Sequence, residues 1–223
     1  MGEDVEERKE KIKNGGDTAA PYYIQGMGGS GTFSDGKLNL SPEIGGNLLE
    51  FTSQSDAERL IDYIDRLFTK YGVKKEAEIS PAARELIVKS IRNGIKYIPI
   101  KQKHIGSDFL PDVIIAMREE LKNNGVEILV KTRAKDIVIG GNKIKGIKIE
   151  KNGKESEMPA NYVIIAPGRA GSRWLLDLAN KYSIPYVYGP LDIGVRIETS
   201  NEIMQEVTSI NWDPKFHIRT KKV

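Results

Sequence analysis

Gly26-Met27-Gly28-Gly29-Ser30-Gly31-Thr32-Phe33-Ser34-Asp35-Gly36-Lys37 places five glycines within eleven residues, and how it is read decides the fold assigned to the whole chain. Glycine this dense is entropically costly inside a helix or strand. It is kept where backbone turns through positive φ or approaches a ligand with no Cβ in the way. Consecutive backbone N–H groups in such a loop can face one concavity and hold an anion or the edge of an electron-rich ring. The stretch reads as a cofactor-contacting loop, with a network of surface turns as the alternative.

Two nucleotide motifs overlap this stretch without their proper context. Gly26-x-Gly28-x-x-Gly31 fits the dinucleotide fingerprint, follows a short extended segment at Tyr22-Tyr23-Ile24-Gln25, and has Glu50 near the distance of a ribose-binding acid. That fingerprint must open a helix whose N-terminus meets the pyrophosphate. Here Asp35-Gly36 signals a turn, and Leu38-Asn39-Leu40-Ser41-Pro42 follows. Gly31-x-x-x-x-Gly36-Lys37 imitates a phosphate loop, but Leu38 stands where the magnesium-binding Ser or Thr is required.

The 223 residues suffice for one large domain or one and a half, and 39% hydrophobic with 29% charged residues describes a globular protein. The net charge of +3 is small and interspersed, as in Arg118-Glu119-Glu120-Leu121-Lys122, which is the pattern of a solvated face. With 7% aromatics and no basic stripe, nucleic acid is not an expected partner. The absence of cysteine removes disulfides, thiolate nucleophiles and zinc–thiolate sites, and His104 and His217 are too few for a histidine metal cluster. No metal is therefore expected. No run approaches a membrane span or a signal-peptide core, so the expectation is a cytoplasmic protein without a membrane partner.

Along the chain, Met1 to Asn14 is highly charged and fits a helix or frayed tail. Ser55-x-x-Glu58 reads as a capping box opening a helix that carries Leu60, Ile61, Ile64, Leu67 and Phe68 and stops at Gly72. Ser80-Pro81 starts a second helix with Leu86, Ile87 and Ile91 inward, and Gly94 ends it. Tyr97-Ile98-Pro99-Ile100 reads as a short strand, and Pro111 to Asn124 as an amphipathic helix with Val113, Ile114, Met117 and Leu121 on one side. Val126 to Val130 looks like a buried strand, so helix, Gly125 and strand follow the order of a parallel-sheet unit. Strands at 136–139, 143–150 and 154–158, joined by turns at Gly140-Gly141-Asn142 and Asn152-Gly153, make an antiparallel meander. The apolar run Tyr162-Val163-Ile164-Ile165-Ala166 is a further strand ending at Pro167-Gly168, and Ser172 to Tyr182 is a helix burying Trp174, Leu175 and Leu178.

That order of parts is similar to the middle of an FAD-binding domain of the glutathione-reductase-like flavoproteins. More specifically, Gly28 to Leu38, Gly168-Arg169, Pro190-Leu191-Asp192-Ile193-Gly194-Val195-Arg196 and Asp213-Pro214-Lys215-Phe216-His217-Ile218 resemble the uncharacterised FAD-dependent dehydrogenases of bacteria and archaea. The resemblance covers most of the chain. It implies a mixed α/β fold: a partial FAD-binding domain over 1–180 with a parallel sheet, the β-meander and a helical insertion at about 55–95. Residues 181–223 would then start a substrate domain. It also implies that the chain is an interior piece, lacking the first dinucleotide-binding strand and its pyrophosphate turn. Such a loss weakens FAD retention and leaves strand edges open to self-association or a complementing chain.

Within the resemblance, Gly28, Gly29, Ser30, Gly31, Thr32 and Phe33 pass near the flavin. Ala134 offers backbone to the adenine edge, and Ala166-Pro167-Gly168 turns beneath the cofactor. On their own, Ala134 is equally a plain strand residue and Gly168 a helix-entry turn. Lys37, Arg169, Arg173, Arg196 and His217 are candidates for recognising a substrate carboxylate, with solvated surface charge as the alternative. Asp192 and Asp213 read as structural, and no side chain is assigned a catalytic role. The implied function is FAD-dependent oxidation of an unspecified small molecule. The alternative is a noncatalytic nucleotide-binding or interaction remnant.

Overall fold

The computed structural model describes residues 2–16, 23–34, 36–74, 81–189, 193–211 and 213–219. Two compact units divide the chain: Met1–Gly36 with Ile105–Gly189, and Lys37–His104 with Pro190–Val223. Tyr22, Asp35, Ser80 and Pro190-Leu191-Asp192, all named above, lie outside the described residues.

The first unit begins with α1 (Val5–Lys13), capped by the Asp4 carboxylate, which accepts from the Glu6 N–H at 3.2 Å. It packs on α4 (Leu110–Asn123), where Val5, Leu110, Pro111 and Val113 are buried together with two arginines, Arg8 and Arg118. Arg118 bonds Asp4, Glu6 at 3.3 Å and Glu119 at 2.8 Å. Burial works to lower its pKa. The Glu6 and Glu119 hydrogen bonds and the Asp4 charge outweigh that, and the pKa is raised.

The meander follows as β4 (Thr132–Gly140), β5 (Lys143–Lys151) and β6 (Lys154–Pro159), in that spatial order and antiparallel throughout. Both connections are two-residue turns with positive φ at both positions: Gly141 and Asn142 at 59° and 60°, Asn152 and Gly153 at 53° and 74°. Only mirror-image turns of this kind match the right-handed twist of the strands, which is why glycine and asparagine occur there. Between Ala134 and Asp136 the register slips by one residue, making Lys135 a bulge. The chain then reaches α5 (Ser172–Lys181), which buries Leu178 and Ala179.

The second unit contains β1 (Lys37–Asn39) paired with β3 (Gln102–His104), α2 (Gln54–Lys70), α3 (Ala82–Arg92), α6 (Asn201–Thr208), and β2 (Ile95–Ile98) paired with β7 (Lys215–Ile218). Its core holds Ala83, Leu86 and Tyr97, with Phe216 against the Tyr97 ring at 5.2 Å between centroids. Lys103 is buried and paired with Asp65, and its Nζ donates to Thr69 Oγ1 at 3.2 Å.

Several expectations are corrected. Among the described residues every strand pairing is antiparallel, so the expected parallel sheet is absent. Val126–Val130 and Tyr162–Ala166 form no strand. A parallel strand has no hairpin to zip it up and depends on neighbours brought from elsewhere in the sequence. Here neither run has one, and Tyr162 and Ile164 stand 92% and 94% exposed. The capping box of α2 is also displaced. Ser53, not Ser55, caps the helix, accepting from the Asp56 N–H at 3.2 Å, and its hydroxyl meets the Asp56 carboxylate at 2.8 Å. Ile91, Leu121 and Leu175, expected inward, are 65%, 48% and 41% exposed. No helix among the described residues is long and apolar enough to cross a membrane.

Candidate functional site

Within the first unit, a cleft of about 740 Å³ opens between the free edge of β4, the irregular run 163–167 and the start of α5, with Gly2, Gln25 and Gly26 closing one side. Its size suits a small organic ligand. Ile137, Ile147, Val163, Ile165 and Pro167 give it an apolar floor, and Arg133, Lys135 and Arg173 bring positive charge to its rim.

The wall formed by β4 and α5 is locked by hydrogen bonds. The indole N–H of Trp174 donates to the bulged Lys135 carbonyl at 2.9 Å. The Tyr182 hydroxyl reaches Asp136 Oδ1 at 2.9 Å and the Ile137 carbonyl at 3.0 Å, Lys181 pairs with the other Asp136 oxygen, and the Ile137 N–H donates to Asp136 at 3.0 Å. Burial alone would raise the Asp136 pKa. The bonds from Lys181, Tyr182 and the Ile137 N–H reverse that and hold the carboxyl below its usual range. Asp136 is thereby a brace, committed on both oxygens, and not an acid–base group. Lys135 is engaged by Glu150 at 2.9 Å. Arg173, highly exposed, has Asp177 one turn on at 3.6 Å.

The glycine segment takes a different course. Ser30–Phe33 makes one turn of 3-10 helix, so no α-helix opens behind the fingerprint, and Lys37 already belongs to β1. The loop is wrapped around the side chain of Arg8, which is wholly buried. Its guanidinium donates to the carbonyls of Met27, Tyr23 at 3.2 Å and Gly29 at 2.8 Å, and lies 4.8 Å from the centre of the Phe33 ring. Burial lowers the Arg8 pKa, while the Glu3 carboxylate acts the other way. The concave side of the loop thus offers carbonyl oxygens to a cation. Met27 and Gly29 turn their N–H groups to the carbonyls of Glu3 and Gly26, at 3.0 and 2.9 Å.

Two glycines are required by this wrap. Gly26 has φ of 110°, and a Cβ there would come within 2.8 Å of Arg8 Cδ and the Glu3 carbonyl. Gly28 has φ of 85°, and its Cβ would overlap the Thr32 hydroxyl. That hydroxyl is buried and has no hydrogen-bond partner among the described residues.

The residues singled out from sequence therefore divide. Ala134, Ala166 and Pro167 line the cleft, joined by the first glycine of the loop, Gly26. Gly168 sits in the turn directly beyond Pro167 at φ of 63°. Gly28, Gly29, Ser30, Gly31, Thr32 and Phe33 are not among the cleft's lining residues. Gly28, Ser30 and Gly31 are exposed and Thr32 is buried. Lys37 and His217 lie in β1 and β7 of the second unit, where Lys37 pairs with Asp213 at 3.6 Å. Lys215 holds the same carboxylate at 2.9 Å, so Asp213 is braced. Arg196 is exposed beside Glu198 at 3.4 Å. Gly26 belongs to the stretch read from sequence as cofactor-contacting, whereas Arg133 was given no site role and Trp174 was assigned to the core. A tryptophan in the first turn of the helix that follows Ala166-Pro167-Gly168 was the available signal, and its apolar character hid it among core residues. Among the described residues no three His, Asp or Glu side chains are gathered as for a metal ion.

No family model matches the chain. It is similar to an uncharacterized protein of Clostridium beijerinckii, with 28% identity over 222 residues, covering 97% of this chain and 34% of the relative. The chain thus spans about a third of the length of that relative.

Proposed function

We propose that the first unit is the nucleotide-holding part of an FAD-dependent oxidoreductase acting on a small molecule. The observation that supports this is the meeting of Ala134, Ala166, Pro167 and Gly26, far apart in sequence, in one cleft with an apolar floor and a basic rim. The donor set fits part of a dinucleotide: apolar surface for a ring, an unpaired strand edge at Ala134, and arginines for phosphate. In this reading Ala134, Ala166, Pro167 and Gly168 hold the adenosine end. The exposed backbone of Gly28, Ser30 and Gly31, held in place by Gly29, whose own polar groups are bonded inward, and by Thr32 and Phe33, meets the flavin end. FAD, when bound, supplies the hydride chemistry. The residues of the chain bind and orient it, and Asp136 keeps the wall rigid without exchanging a proton.

The test is spectroscopic. Purified protein incubated with FAD and desalted is expected to keep flavin absorbance in proportion to protein, and Ala134→Arg or Ala166→Arg is expected to abolish that retention. A colourless protein that takes up no added FAD overturns the proposal.

A second reading, a noncatalytic nucleotide-binding or interaction module completed by another chain, is favoured by the exposure of Tyr162, Ile164 and Val187 at 92–94%. It predicts a colourless protein whose mass in solution exceeds that of the monomer.

A further inference from the structure

Among the described residues the cleft is lined by one large aromatic side chain, and it is held in place by the cleft's own wall. Trp174 lines the cavity while its indole N–H is used up on the Lys135 carbonyl of the β4 bulge. A side chain whose polar atom is already satisfied offers the cleft only its ring, and the ring is fixed before any ligand arrives. Fixed aromatic faces are suited to planar heteroaromatic rings, because stacking needs no further ordering of the protein.

The charges around that ring are unequal in their commitments. Lys135 is held by Glu150 at 2.9 Å, and Asp136 by Lys181 and Tyr182. Arg133 faces the same Glu150 across the β4–β5 pair, whereas Arg173 has only the well-exposed Asp177 beside it, at 3.6 Å. Arg173 is the neighbour of Trp174 in sequence and belongs to the first turn of α5, so the ring and the guanidinium enter the cleft from one helical turn.

We infer that Trp174 and Arg173 form the recognition pair of this cleft, Trp174 stacking on the ring of a nucleotide and Arg173 meeting its phosphate. The inference rests on the cleft being the nucleotide site proposed above, but not on the nucleotide being a flavin. No bond is made or broken in this step.

The experiment uses the full chain carrying Trp212→Phe, which leaves Trp174 as its one tryptophan. Titration with ADP is expected to quench Trp174 emission along a saturable curve. Trp174→Ala should weaken ADP binding, followed by calorimetry, by about tenfold, as expected for loss of one base–aromatic stack. Trp174→Phe, which keeps a ring, should bind within about threefold of the parent and guards against a folding defect in the alanine variant. Arg173→Gln should weaken ADP by about fivefold and leave adenosine unaffected. Unchanged emission with millimolar ADP, or equal ADP affinity in folded Trp174→Ala, overturns the inference. FAD retained equally by parent and Trp174→Ala overturns the inference and leaves the flavoprotein reading standing. ADP binding that depends on Trp174, without any FAD retention, does the reverse.

Discussion

Gly26 belongs both to the glycine loop and to the wall of the cleft, and the two regions it joins treat their polar groups in opposite ways. In the loop, carbonyls converge on the buried Arg8 guanidinium, so the concavity is filled by the protein's own cation. In the cleft, Asp136 is bonded by Lys181 and Tyr182, and Trp174 donates to the Lys135 carbonyl along the same wall, leaving the space between β4 and 163–167 open. A glycine-rich segment is thus not an anion site by composition alone. What decides is which backbone groups face inward and whether something already satisfies them.

The comparison breaks most visibly at Arg8. Arg8→Ala strands three carbonyls and removes the packing on Phe33, and is expected to lower the unfolding free energy by about 3 kcal/mol in urea denaturation. Arg8→Lys should recover only part of this, since an ammonium cannot reproduce the planar fork. A loss no larger than that of an exposed lysine substitution would show that the loop is shaped by its glycines and not by the arginine.

Asp136→Ala removes the brace of the cleft wall and should cost about 2 kcal/mol. Because the folded pKa lies below its ordinary value, the unfolded chain binds the proton more readily. The stabilisation is therefore complete above the unfolded carboxylate value of about 3.9 and disappears as pH falls through the folded value. Wild type and Asp136→Ala should differ in urea midpoint at neutral pH, and the gap should narrow as pH falls from the unfolded carboxylate value through the folded one. A gap that stays constant over that range would remove Asp136 from the role of brace.

Gly28→Ala combines a left-handed φ with a collision on Thr32, and is expected to cost about 2 kcal/mol; Gly29→Ala has the φ of 69° but open space, and should cost nearer 1 kcal/mol. Equal losses would place the effect in backbone strain alone. The smallest change is expected from Thr32→Val, which replaces a buried hydroxyl lacking a partner and should leave stability unchanged or raise it by up to about 1 kcal/mol. If it instead abolished FAD retention while stability held, the loop would gain the ligand contact that its resemblance implies.

Local chemistry made some parts legible and left others out of reach. The meander could be read because Gly141-Asn142 and Asn152-Gly153 fix both turn type and register, and each strand finds its partner a few residues away. The apolar runs 126–130 and 162–166 have the composition of parallel strands, yet nothing local supplies a neighbour. The candidate site was legible at Ala134, Ala166 and Pro167 through resemblance. The part played by Trp174 was not, because an indole at that spacing reads as core until the bulge at Lys135 is known.

By itself, the sequence determined the hairpins of the meander, the positions of most helices though not α6, and the glycines able to take positive φ, since these depend on sterics and hydrogen bonds within a few residues. Only the tertiary structure decided that the loop encloses Arg8, that every sheet among the described residues is antiparallel, and that Gly26, Ala134, Ala166 and Trp174 share a cleft. Those outcomes depend on which distant groups arrive to satisfy a buried donor or an open strand edge, and no local pattern encodes that arrival.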